Sequence, residues 1–165
     1  DLDHFKQIND QHGHQTGDHV LQEAARALNK GLRASDVLAR YGGEEFVLLL
    51  PDTGTQRAAG IAERLRAAVA GLVFTPAHGV DLRVTASFGL ASLVAGQRAT
   101  PDDARDGGGR PRREQAIEDP GSWLLRQADL ALYAAKARGR NCVVAADSSG
   151  NGATRVDDPP ASRER

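Results

Sequence analysis

Methionine is absent from the 165 residues, and cysteine occurs once, at Cys142. A lone thiol excludes an internal disulfide framework and any cysteine-based metal site, and it agrees with a reducing compartment. Neither sign of charge dominates: the formal net charge is -1. No global field therefore draws the chain to nucleic acid or to an anionic membrane. A long apolar span and a secretory leader are also missing, so no membrane segment is expected here. What is present, 40% hydrophobic and 26% charged residues, suits one globular domain with an adequate core. The chain opens abruptly on Asp1. It is expected to be a piece of a longer protein whose natural N-terminus lies upstream.

The apolar pattern divides the chain into short elements. Leu2 reads as the end of a strand whose earlier part is cut away. His4 to Gln11 reads as a short helix with Phe5 and Ile8 on one face, followed by a loop over residues 13–17. Asp18 opens a helix whose apolar positions, Val20, Leu21, Ala24, Ala25, Leu28 and Leu32, recur near a 3.6-residue period. Val37 to Tyr41 and Phe46 to Leu50 form two strands across Gly42-Gly43. A helical stripe runs from Ala58 to Leu72. Val80, Leu82, Val84, Ala86 and Phe88 alternate as in a half-buried strand. Leu124 to Ala137 reads as the third long helix, and Cys142 to Ala145 as a final strand. Residues of about 95–122, with three consecutive glycines, several prolines and mixed charge, read as a flexible insert. Arg110, Arg112 and Arg113 within it fit either a solvated loop or a phosphate contact. The polar tail, 147–165, is expected to be disordered, leaving a domain over 1–146. The element order predicts an α/β (α+β) sandwich with one mostly antiparallel sheet covered by helices.

The chemistry-bearing residues cluster at element ends. Arg40-Tyr41-Gly42-Gly43-Glu44-Glu45-Phe46 puts paired carboxylates on a glycine turn. There, positive φ is available and a ligand can approach the main chain. Such acids can hold a hard cation or move a proton, although a hairpin with solvated acids at its tip has the same appearance. Asp1 and Asp3 lie on one side of a strand end while Leu2 points inward, an arrangement suited to Mg²⁺ and phosphate oxygens or, in isolation, to a turn or cap. Asn9 and Asp18 together offer an amide and a carboxylate that match a purine edge. Separately they read as a helix-end residue and an N-cap. Lys136 and Arg140 at a helix C-terminus suit the helix dipole, or a phosphate clamp. Arg33 and Asp36, three apart, suit a weak local ion pair or a nucleotide contact.

In order along the chain, Asp1-Leu2-Asp3-His4-Phe5-Lys6-Gln7-Ile8-Asn9-Asp10, Gly13-His14, Gly17-Asp18, the Gly42-Gly43-Glu44-Glu45-Phe46 turn, Ala128 to Lys136 and Gly139-Arg140-Asn141 resemble the GGDEF family of bacterial diguanylate cyclases. The likeness covers residues 1 to about 91 and 123 to about 144. It implies a nucleotidyl-cyclase, palm-like fold, here without the family's leading helix and most of its first strand. It implies condensation of two GTP into cyclic di-GMP and two pyrophosphates, in the cytoplasm, by a homodimer that holds one GTP per domain. An upstream sensor domain would supply the signal, and the parent chain could be soluble or membrane-tethered. By the same resemblance, Asp1, the Leu2 carbonyl and Glu44 would bind Mg²⁺ or Mn²⁺. Glu44 and Glu45 would be the catalytic acids. His4, Phe5, Lys6, Lys136 and Arg140 would take phosphates, Asn9 and Asp18 guanine, and Gly42 and Gly43 would make room for the nucleotide. Arg33 and Asp36 match an inhibitory product site, with Arg64 a second arginine for it. A non-catalytic cyclic di-GMP receptor is the alternative, although such receptors usually carry a damaged acidic turn. A cyclase for other nucleotides is a further one, against which Asp18 speaks.

Overall fold

The computed structural model of the chain describes residues 1–75, 81–93, 119–146 and 153–155. Two helices come first, α1 (Phe5–His12) and α2 (His14–Lys30), then the hairpin β1 (Val37–Arg40) and β2 (Phe46–Leu49). Helix α3 (Thr55–Ala70) leads into the short strands β3 (Val73–Phe74) and β4 (Leu82–Arg83), then β5 (Phe88–Leu90). Helix α4 (Pro120–Ala137) is followed by β6 (Val143–Ala146) and β7 (Ala153–Arg155).

The strands fall into three small sheets rather than one: β1-β2, β3-β4 and β5-β6-β7. All pairings are antiparallel except β5 with β6, which is parallel and crosses over through α4. Residues 1–3 tie two of these pieces together. The Asp3 amide donates to the Thr85 carbonyl at 2.8 Å and the Ser87 amide to the Asp1 carbonyl at 3.0 Å, while on the other side the Leu2 amide donates to the Glu44 carbonyl at 3.2 Å. The Asp1–Asp3 segment is thus a strand end set between the acidic turn and the 85–87 stretch. Its one apolar side chain, Leu2, is 2% exposed.

The main core joins Leu2, Phe5 and Ile8 to the inner faces of α2 and α3. Burying each such side chain contributes about 1.5–3 kcal/mol. Both faces of β6 are covered: Val144 packs with Ala131 and Ala135 of α4, and its neighbour Val143, also buried, points the other way. Helix α4 lies directly on β5 at Gly89. A Cβ there would sit 2.0 Å from the Ala128 carbonyl oxygen and 2.4 Å from the Leu132 nitrogen, so only glycine permits this approach.

Several boundaries differ from the sequence expectation. The stretch 13–17 is no loop: Gly13, at φ 79°, makes the whole turn, and α2 starts at His14. A single left-handed glycine suffices to reverse the chain between the two helices. Helix α4 begins at Pro120, not Leu124, because Asp119 caps it by accepting the Ser122 amide at 3.0 Å and proline occupies the first turn. The alternating stretch after residue 80 divides into β4 and β5, with Ser87, wholly buried, breaking the alternation. Residues 153–155 pair with β6, so the tail is structured there. Most of the expected insert, 95–118, and the rest of the tail lie outside the described residues.

Candidate active site

One end of the domain gathers the strand end, the acidic turn, the start of α1 and the end of α4. Asp1, with its side chain only 6% exposed, places Oδ2 2.9 Å from Lys136 Nζ. Asp3 does not share this outlook. It is buried, and its carboxylate accepts from Ser87 Oγ and Thr85 Oγ1, each at 2.7 Å, and from the Asn141 amide at 3.1 Å. Both strand-end acids are largely buried: Asp1 pairs with the partly exposed Lys136, whereas Asp3 is held by three donors of the protein. The acidic turn lies beside this strand end, because the Leu2 amide donates to the Glu44 carbonyl.

The acidic turn is braced by its own strand. Arg40 Nε donates to the carbonyls of Gly42 and Gly43, each at 3.2 Å, and Nη2 to that of Gly43 at 2.7 Å. The Tyr41 and Gly42 amides donate to the Glu45 carbonyl at 2.8 and 3.3 Å. Positive φ is not the reason for the glycines, since neither Gly42 nor Gly43 adopts it. At Gly42 a Cβ would lie 2.5 Å from Glu45 Oε2, so the glycine leaves room for that carboxylate against the turn. Glu45 folds back over the turn, while the Glu44 backbone is pinned beside Leu2.

Helix α1 starts immediately after Asp3. His4 is its N-cap at φ 58° and makes no side-chain cap, so the first amides of the helix are left for an outside acceptor. Lys6 is exposed on the same first turn. At the far end of α4, Gly139 at φ 101° terminates the helix, with the Arg140 amide donating to the Ala135 carbonyl at 3.1 Å and the Gly139 amide to that of Lys136 at 3.4 Å. The glycine thus ends the helix where expected, and Arg140 is exposed just beyond.

Asn9 and Asp18 are brought together by packing. A Cβ on Gly17 would lie 1.9 Å from Asn9 Oδ1, so the carboxamide rests on Gly17, next to Asp18. Asp18 is not an N-cap, because it lies inside α2, whose cap is Gly13. Its exposed carboxylate is free of that duty. Away from this end, Asp36 Oδ2 accepts the Arg33 backbone amide at 2.8 Å. No ion pair between the two side chains forms, and the Arg33 guanidinium projects outward. Arg64, on α3, donates to the Gly31 carbonyl at 2.7 Å, close to the segment that carries Arg33. Sequence reasoning overlooked Arg40, Arg66, Thr85 and Ser87. Only Arg40 left a trace, as the cation opening the acidic turn.

One end of this α+β domain thus gathers carboxylates, a helix start and two cationic side chains, groups whose chemistry suits a cation and an anionic ligand. The chain belongs to the GGDEF family: the family model "Diguanylate cyclase, GGDEF domain" matches residues 1–106. It is 46% identical over 145 residues to the response regulator PleD of Caulobacter vibrioides, covering 87% of this chain and 27% of that protein. The chain thus spans about a quarter of the length of that curated relative. Among solved structures, the GGDEF domain of DgcB from Caulobacter crescentus in complex with c-di-GMP superposes with a TM-score of 0.70 at 33% identity, over 90% of this chain and 75% of that one. The active GGEEF domain of a diguanylate cyclase from Vibrio cholerae gives 0.69 at 30% identity, over 90% and 80%. The expected fold class holds. No helix among the described residues is long and apolar enough to cross a membrane.

Proposed function

We propose that this domain condenses two GTP into cyclic di-GMP and two pyrophosphates, as two copies facing each other. The observation that carries the reading is the meeting of Asp1, Lys136 and the Glu44-Glu45 turn at the strand end next to the start of α1, in a chain whose relatives include named diguanylate cyclases.

The donor set fits a hard divalent cation. Among the described residues no preformed cluster of three His, Cys, Asp or Glu side chains exists. Mg²⁺ rarely asks for one, because it keeps water and substrate phosphate in its shell. Asp1, the Leu2 carbonyl and Glu44 would hold Mg²⁺ or Mn²⁺, which when bound neutralises triphosphate charge and acidifies a nearby hydroxyl. The amides at the start of α1, from His4 and Phe5, and the side chains of Lys6, Lys136 and Arg140 bind the phosphates. Asn9 and Asp18 read guanine, the carboxylate accepting from adjacent N–H groups. Gly42 and Gly43 let the nucleotide lie against the turn. Glu45, exposed at the turn, is placed to take the proton. The 3′-oxygen of one GTP bonds to the α-phosphorus of the other, the α–β bridge breaks, and pyrophosphate leaves. The step repeats in the opposite sense to close the ring. A two-fold dimer supplies both halves. Arg33, Asp36 and Arg64 form a separate product site, and occupation there restrains the facing of two domains. An upstream sensor in the parent protein would set that encounter, with the domain in the cytoplasm.

The test is incubation of the chain with GTP and Mg²⁺, followed by chromatography for cyclic di-GMP and an assay for pyrophosphate. Two pyrophosphates per cyclic dinucleotide are expected. A folded dimer that binds cyclic di-GMP but makes none would favour a receptor instead.

A further inference from the structure

The turn after α4 runs through three consecutive left-handed residues, Gly139 at φ 101°, Arg140 at 66° and Asn141 at 46°. Glycine adopts this freely, whereas arginine and asparagine do so against a steric cost. Such backbone persists only when its surroundings over-determine it. Two contacts do so here. The Asn141 amide donates to Asp3 Oδ2 at 3.1 Å, and Asn141 Oδ1 accepts from Arg66 Nη1 at 2.6 Å. Each partner is itself immobilised. Asp3 is fixed by the Thr85 and Ser87 hydroxyls at 2.7 Å. Arg66 is fixed by Glu63, with Nε 2.9 Å from both carboxylate oxygens and Nη2 2.6 Å from Oε1.

These contacts are not needed to end the helix. The two amide bonds from Arg140 and Gly139 back to α4 already complete that cap. The clasp acts one residue further on and buries a carboxylate to do so. What lies between cap and clasp is Arg140, whose exposed guanidinium has no partner among the described residues. A phosphate-binding arginine on a fixed backbone loses less freedom on binding than one on a mobile turn. We propose that Asp3 and Arg66 are positioning residues that hold the 139–141 turn so that Arg140 is aimed at the nucleotide's phosphates. This rests on the reading of the site as a GTP site and adds to it two residues that touch no ligand.

The test uses the full chain and the variants Arg66→Met, which keeps the aliphatic stem, and Asp3→Ala. Alanine at position 3 removes the acceptor of the Asn141 amide, which can only donate. Amide hydrogen exchange of residues 139–142, without ligand, should speed up at least tenfold in both variants while the thermal midpoint of Arg66→Met stays close to wild type. Calorimetry then compares Mg²⁺ with a GTP analogue bridged by carbon between its α- and β-phosphorus, and guanosine alone. Arg66→Met should weaken the analogue about tenfold and leave guanosine within twofold. Adding Arg140→Ala to Arg66→Met should cost little more than either change alone. Unchanged exchange in the turn, equal losses for analogue and guanosine, or fully additive losses would overturn the proposal. A wild-type chain that binds no analogue would overturn it together with the GTP reading. Wild-type binding that Arg140→Ala weakens and Arg66→Met does not would overturn the positioning role alone.

Discussion

Replacing Gly17 with alanine separates the guanine site from the stability of the fold. Gly17 is buried in α2 with ordinary helical φ, so alanine gains up to about 1 kcal/mol of helix propensity. Against this, the new Cβ would meet Asn9 Oδ1 at 1.9 Å, Asn9 Cγ at 2.9 Å and Phe5 Cζ at 3.2 Å. The first two atoms end a flexible side chain and can swing aside, and the phenyl ring needs to give only a few tenths of an ångström. The two effects nearly offset, and thermal melting should show a change of less than about 1 kcal/mol. Binding should respond differently. The displaced carboxamide forfeits its hydrogen bonds to the base, worth about 1–3 kcal/mol, or roughly 5- to 150-fold in affinity. Calorimetry with the carbon-bridged GTP analogue measures that loss, and Asn9→Ala should add little to Gly17→Ala. A folded Gly17→Ala variant with wild-type affinity would show that Asn9 does not read the base.

Other consequences follow from the same geometry. Gly89→Ala drives a methyl into the α4 backbone at Ala128 and Leu132, which cannot yield as a side chain would; a loss of about 3 kcal/mol or more is expected in denaturant unfolding. Asp18→Ser removes the acceptor for adjacent purine N–H groups, and nucleotide competition should show preference moving from GTP toward ATP. Arg33→Ala should abolish high-affinity cyclic di-GMP binding, read by calorimetry, while affinity for the GTP analogue stays within twofold.

How much of this the residues announced depends on the range of the interaction concerned. The amphipathic stripes of α2 and α3 and the hairpin at Gly42-Gly43 were legible, because periodicity and turn chemistry are local. So was the C-terminal stop of α4 at Gly139. The misplaced boundaries also have local causes. Gly17 looked like part of a loop, whereas it is a helical residue kept small for Asn9. Asp119 and Pro120 form an N-cap and first turn, but a glycine-rich neighbourhood hid them. The division of the strands into three sheets was not legible, since register across the Asp1–Asp3 segment is decided by long-range backbone bonds to Glu44, Thr85 and Ser87. The roles of Thr85, Ser87 and Arg66 were hidden for the same reason. A hydroxyl that satisfies a buried carboxylate more than eighty positions away carries no mark of it in its own neighbourhood. Asp1 and Asp3 looked equivalent in sequence and have different partners in space, Lys136 for the one and Thr85, Ser87 and the Asn141 amide for the other.

The central claim is that Asp1 and Glu44 jointly hold divalent cations against a nucleotide's phosphates. Electron paramagnetic resonance of Mn²⁺ titrated into the chain with the carbon-bridged GTP analogue tests it without requiring turnover. Wild-type protein should take up Mn²⁺ only when the analogue is present, and Glu44→Gln should weaken that uptake at least tenfold while its melting temperature is retained. Equal Mn²⁺ uptake by wild type and Glu44→Gln would contradict the account.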